Sequence, residues 1–135
     1  MYHMSSQSWL NNALVAAFFF AASLVVSQTA RASELLMFER DGCVWCARWD
    51  REIAPIYGKT DEAKVLPLRR INIDHDKPTD ITLNAPVRYT PTFVIVDDGR
   101  EIGRITGYLN DESFWGLLGK YAAQLVKPTA APNPT

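Results

Sequence analysis

The sequence predicts an α/β domain on one central mixed sheet flanked by helices, a βαβ unit followed by a ββα unit. Three observations predict it. An apolar run, Leu35-Leu36-Met37-Phe38, leads directly into a helix-like stretch that carries the chain's two cysteines, Cys43 and Cys46. Farther on, the apolar run Phe93–Val96 and a second run from Glu101 to Thr106 are split by Asp97-Asp98-Gly99-Arg100, where Asp-Gly is a strong hairpin signal. The chain then reaches an amphipathic stretch in which Phe114, Leu117, Leu118, Tyr121 and Leu125 recur at helical spacing.

A chain of 135 residues has room for one domain. Its hydrophobic content of 47% and four tryptophans suffice for a packed core. The formal net charge of −1, with no cluster of Lys and Arg, argues against a nucleic-acid partner.

Residues 1–32 read as a signal peptide. ALVAAFFFAASLVV, from Ala13 to Val26, is fourteen residues long and broken only by Ser23. It fits a signal core and falls short of the about 20 residues a membrane-spanning helix needs. Ala30-Arg31-Ala32 supplies the small-x-small pattern for cleavage after Ala32. The leading residues carry no Lys or Arg, which leaves an uncleaved membrane anchor reaching back to Trp9 and Leu10 as the alternative. Either way the domain, residues 33–127, is expected outside the cytoplasm, in the periplasm. Disulfides persist there unless something reduces them.

In chain order, Glu34 to Arg40 is the first strand, apolar enough to be central, and Arg40-Asp41-Gly42 is a loop. A helix from about Cys43 to about Tyr57 carries Cys46, Trp49 and Ile53 as its inward stripe. Arg48, Asp50, Arg51 and Glu52 fall mostly outside that stripe. Pro55 must kink or end the helix, and Gly58 is its stop. Asp61–Lys64 reads as a short turn, Val65–Asp74 as the second strand, His75–Asp80 as a turn and Ile81–Ala85 as a short helix. After the hairpin, Asn110 is the N-cap of the last helix, with Asp111 and Glu112 in its first turn. Gly116 and Gly119 weaken that helix by roughly 1 kcal/mol each relative to alanine. Residues 128–135 form a Pro-rich tail that cannot pack and is expected to be disordered. Trp49 and Trp115 are expected to be packing residues.

The chemistry centres on Cys43 and Cys46. On a helix, side chains at i and i+3 lie about 5–6 Å apart, close enough for a disulfide. Cys43 falls at the helix N-terminus, where unpaired N–H groups and the helix dipole favour an anion. A thiolate is favoured there, so Cys43 is the attacking sulfur and Cys46, one turn in, the resolving one. Two other uses compete. A static disulfide gains little stability from a two-residue loop. A copper- or zinc-handling module would use the same two thiols, yet zinc takes three or four protein ligands, and beyond the thiols there is only the distant His75. No metal or cofactor is therefore expected, and His75 reads as a solvated loop residue. Trp45, between the cysteines, is a candidate for docking a partner; the alternative is that it folds back on the domain.

Over residues 35–126 the chain resembles the thioredoxin superfamily. The resemblance rests on Cys43-Val44-Trp45-Cys46 after a strand, on Tyr89-Thr90-Pro91-Thr92-Phe93, and on Asp98-Gly99-Arg100-Glu101 followed by Gly103 and Gly107. Ile71-Asn72-Ile73-Asp74 also matches that family's second strand. The runs FERDGCVWCARWDREIAP and TPTFVIVDDGREIGRITGY are most similar to the small periplasmic thioredoxin-like proteins of bacterial sulfur-oxidation (Sox) systems. The resemblance implies a thioredoxin-like fold and a thiol–disulfide oxidoreductase that reduces a disulfide or blocked cysteine on a partner protein. A membrane or periplasmic thiol donor would supply it. An oxidant of newly exported proteins is the rival direction. It also implies that Pro91 is cis and faces the sulfurs, with the Thr90 backbone left for a substrate strand. Two departures stand out. The dipeptide Val44-Trp45 is neither the Gly-Pro of cytosolic thioredoxins nor the Pro-His of strong periplasmic oxidants. The family's buried acid falls on Met37, so Glu39, on the same strand face, becomes the candidate proton relay; the plainer alternative is a solvated carboxylate.

Overall fold

The computed structural model describes residues 32–126. The signal segment and the Pro-rich tail expected from the sequence lie outside the described residues. The elements in order are β1 (Glu34–Glu39), α1 (Val44–Glu52), α2 (Ala54–Tyr57), α3 (Asp61–Val65), β2 (Leu68–Asn72), β3 (Thr92–Asp97), β4 (Arg100–Thr106) and α4 (Asp111–Val126). They build one four-stranded sheet in the order β2-β1-β3-β4. β1 pairs with β2 in parallel and with β3 antiparallel, and β3 pairs with β4 antiparallel.

The central strands are apolar on both faces because both faces are covered. Leu35, Met37, Phe93 and Ile95 point into a core with Trp49, Ile53, Phe114 and Leu118, to which all four helices contribute. Leu36, Phe38, Val94 and Val96 point the other way, onto Ile71, Ile73, Ile81, Leu83 and Val87. Two glycines serve these arrangements. Asp98 and Gly99 both hold positive φ, 48° and 74°, the conformation a two-residue hairpin needs. At Gly103, a Cβ would lie 2.2 Å from the Tyr121 ring, so the absence of a side chain there is what lets this ring of α4 lie on β4.

Several local expectations are corrected. The helix after Cys43 breaks at Ile53, two residues before Pro55, which sits in the first turn of α2, where its missing donor costs nothing. The turn at 61–64 is a helical turn running to Val65. Thr60 caps it by accepting the Ala63 N–H at 3.3 Å, so β2 begins only at Leu68 and ends at Asn72. The short helix expected over Ile81–Ala85 is absent. Thr82 instead bridges the edge of β4, its N–H donating to Gly99 O at 2.8 Å and its carbonyl accepting from Glu101 N at 3.0 Å. Extended backbone there lets Ile81 and Leu83 cover the sheet face that carries no helix. In α4, Asn110 Oδ1 accepts the Ser113 N–H at 2.8 Å. Phe114 and Leu118 are buried, whereas Leu117, expected in the same stripe, faces outward.

Candidate redox site

β1 runs through the centre of the sheet and ends at Glu39. Its short exit loop delivers Cys43 to the N-cap of α1. Cys43 and Cys46 are joined as a disulfide, with Cα atoms 5.2 Å apart. Cys43 Sγ also accepts the backbone N–H of Cys46 at 3.1 Å, the bond an N-cap side chain makes. No acidic residue occupies the first turn of α1 to oppose an anion there. Cys43 is half-buried, while Cys46 is 4% exposed and packs in the core cluster with Met37 and Trp49. The two sulfurs thus differ in the expected sense, one at the surface with a donor on it and one in an apolar wall.

The Cys43–Cys46 turn lies between two grooves. The first, about 500 Å³, is lined by Glu39, Arg40, Asp41, Asp50 and Arg51 together with both cysteines. In it Glu39 does not stand free. It accepts from Arg70 Nε at 3.0 Å and closely from Arg70 Nη2, and Asp50 accepts from Arg70 Nη1 at 2.6 Å. The Glu39 hydrogen bond, ahead of Asp50's, holds the Arg70 guanidinium's proton more firmly than usual. The second groove, about 350 Å³, brings together three residues singled out from the sequence, Trp45, Thr90 and Pro91, with Arg48, Thr106, Gly107, Tyr108 and Leu109. Trp45 is 54% exposed. The Thr90–Pro91 peptide is cis, and the Pro91 carbonyl accepts the Gly107 N–H at 2.7 Å. Among the described residues nothing bonds the Thr90 backbone N–H or carbonyl.

Sequence reasoning missed the residues that hold the second groove in shape. Arg48 Nε donates to Glu52 Oε1 at 2.9 Å, and Arg48 Nη1 donates to the Leu109 carbonyl at 3.2 Å. Tyr108 Oη donates to Glu52 Oε2 at 2.7 Å. Burial first, and then the bond to Glu52, pushes the Tyr108 hydroxyl up to about 12. The signal for Arg48 and Glu52 was their i, i+4 spacing, which by itself indicates only a surface ion pair. His75 pairs with Asp41, 2.9 Å away. Among the described residues no three His, Cys, Asp or Glu side chains lie together as a metal site, and no helix is long and apolar enough to cross a membrane.

The family model described as the thioredoxin-like domain matches residues 20–122. Among solved structures, the chain is similar to the periplasmic thioredoxin SoxS of Paracoccus pantotrophus in its reduced form. The identity is 43% and the TM-score 0.65, over 68% of this chain and 97% of that one. A thioredoxin-fold protein of Helicobacter pylori matches at 22% identity and TM-score 0.56, over 68% and 70% of the two chains. A thioredoxin of Thermus thermophilus matches at 16% and 0.52, over 86% and 85%. The last two show the fold alone. No curated protein sequence matches the chain significantly.

Proposed function

We propose, from the premise that this chain belongs to the thioredoxin-like family and is a thiol–disulfide oxidoreductase, that it works in the periplasm as a reductant. Its substrate is a disulfide or blocked cysteine on a partner protein, of the kind a sulfur-oxidation system uses. The observation that carries the reading is Cys43 Sγ at the N-cap of α1, bonded by the Cys46 N–H at 3.1 Å, with Cys46 itself buried behind it. In the reduced protein the same N–H and the helix N-terminus stabilise a Cys43 thiolate. That thiolate attacks the partner's sulfur. The partner's bond breaks, its leaving sulfur takes the electron pair and a proton, and a mixed disulfide forms. Cys46, an apolar-walled thiol until then, loses its proton and attacks Cys43 Sγ. The partner departs as a thiol and the Cys43–Cys46 disulfide remains. A membrane or periplasmic thiol donor then restores the dithiol. Glu39, on the groove that both cysteines line, is the proposed acceptor of the Cys46 proton, and it must release Arg70 to take it. The unpaired Thr90 backbone beside Pro91 would pair with the partner segment, and Trp45 would wall its side.

What the thiolate lacks supports the reducing direction. Strong oxidants owe their potential to a stabilised reduced form. Here the two residues between the cysteines, Val44 and Trp45, are apolar and bring neither charge nor a side-chain hydrogen bond to Cys43. The 43% identity to a protein described as a periplasmic thioredoxin supports the compartment. The experiment is the reduction potential of the Cys43–Cys46 pair, equilibrated against glutathione. The expected value lies nearer the about −270 mV of strong reductants than the about −120 mV of strong oxidants. A value near the oxidant end overturns the direction, and failure to exchange with glutathione overturns the reading itself.

A further inference from the structure

We propose that Arg48 is the positioning residue of the partner-binding groove. It is a guanidinium wedge that ties α1 to the loop before α4 and holds Trp45 as a fixed wall. This rests on the thiol–disulfide reading above, because the groove matters only if a partner polypeptide occupies it.

The guanidinium carbon of Arg48 lies 5.8 Å from the Trp45 ring centroid and 5.6 Å from that of Tyr108. Its Nε reaches Glu52 and its Nη1 reaches the Leu109 carbonyl, 61 residues away in sequence. Glu52 in turn accepts from Tyr108 Oη. Arg48, Glu52 and Tyr108 therefore close a ring of contacts, and Arg48 adds the Trp45 ring and the Leu109 carbonyl to it.

An exposed i, i+4 ion pair contributes little by itself. Arg48 differs from such a pair because one planar group makes two ring contacts and two hydrogen bonds in different directions. A lysine ammonium lacks the fork and the flat face for this. Arg48 covers the ring of Trp45, which is 54% exposed, and holds the main-chain carbonyl of Leu109, whose side chain is 74% exposed. Both line the groove with Thr90 and Pro91. A partner meeting an already ordered wall does not have to order it on binding, which is where preorganisation gains affinity. Among the described residues Arg48 makes no hydrogen bond to Cys43 or Cys46.

The test compares Arg48→Met with Arg48→Lys in reduction of insulin disulfides with dithiothreitol as electron donor, alongside ¹⁵N relaxation of the Trp45 indole N–H. In Arg48→Met, KM should rise on the order of fivefold with kcat changed less than twofold, and the Trp45 indole order parameter should fall. Arg48→Lys should recover less than half of the KM. An unchanged KM, a loss confined to kcat, full rescue by lysine or an unaltered indole order parameter would each overturn the proposal. Should Arg48→Met not fold, Glu52→Gln serves instead. It keeps an oxygen for Tyr108 but can turn its amide on Arg48, and KM must move the same way; no movement overturns the proposal. If the unaltered protein does not reduce insulin, the oxidoreductant reading fails, while the indole measurement still decides the role of Arg48.

Discussion

His75 holds its proton more tightly than a free imidazole. The hydrogen bond to Asp41 raises it above the ordinary value of 6.5, helped by the charges of Asp41, Asp74 and Asp76. The same bond, followed by one from Asn72, holds Asp41 below its ordinary 3.8. Asn72 Nδ2 donates to Asp41 at 2.8 Å, and the Asp41 N–H reaches Asp74 at 3.3 Å. The loop that presents Gly42 and Cys43 is thus tied to the end of β2. The signs fix when the tie works. His75, with its folded value raised, contributes fully below pH 6.5 and loses its contribution as pH rises through that raised value. Asp41, with its folded value lowered, contributes above pH 3.8 and loses its part as pH falls through the lowered value. Both groups are exposed, His75 at 64% of its side chain, so the tie orders the loop more than it stabilises the domain. Proton NMR titration of the His75 ring should give a midpoint above 6.5, and Asp41→Asn should bring it back toward 6.5. A midpoint that Asp41→Asn leaves where it was would refute the tie.

Among the elements, the segment after β2 is held by a buried carboxylate of β4. Glu101 is on β4 with only 3% of its side chain exposed. It accepts from Arg104 at 2.6 and 2.8 Å and from the Asn84 N–H at 2.8 Å, while Arg104 also donates to the Ala85 carbonyl at 2.8 Å. This carboxylate holds the extended 82–85 segment on the sheet edge. Arg104 keeps it ionised below its ordinary 4.5, so its contribution is present above pH 4.5 and lost as pH falls through the lowered value. Glu101→Gln should cost about 2 kcal/mol at pH 7, a charged hydrogen bond lost at a buried site, and should flatten the acid limb of the stability profile. Denaturant unfolding at pH 7 and pH 3 would read both; equal stability of the two proteins at pH 7 would refute the anchor. The same residues explain what the sequence concealed. β1, β3 and the hairpin were legible because their apolar runs and the Asp-Gly turn are local signals. Ile81–Ala85 was not, because its conformation is set by Gly99 and Glu101, partners that periodicity does not reveal. The cysteines and Trp45 were legible as a motif. Arg48 was not, since Leu109 and Tyr108 reach it only through the fold.

At the scale of the molecule, the two hydrophobic clusters are not independent, because they share their strands. Successive residues of β1 alternate between them, Leu35 and Met37 to one and Leu36 and Phe38 to the other, and β3 divides Phe93 and Ile95 from Val94 and Val96 in the same way. Neither face can lose its strands without exposing the other. The helical face holds the aromatic centre, Trp49 against Phe93 at 5.4 Å and Phe114 at 5.8 Å. The opposite face is closed by a segment with no helix of its own, anchored through Glu101 and Thr82. Two outcomes compete: the segment peels away first, or it unfolds with everything else. The anchoring bonds and the packing of the partly buried Ile81, Leu83 and Val87 against the β1–β3 cluster favour the second. Guanidinium unfolding of the oxidised protein should therefore give one midpoint by far-UV circular dichroism, by tryptophan fluorescence and by methyl resonances of Ile81 and Leu83. If those methyl signals collapsed at lower denaturant while Trp49 remained packed, the second face would be a separate, weaker unit. The edge of β4 would then open while the disulfide and its grooves stayed formed.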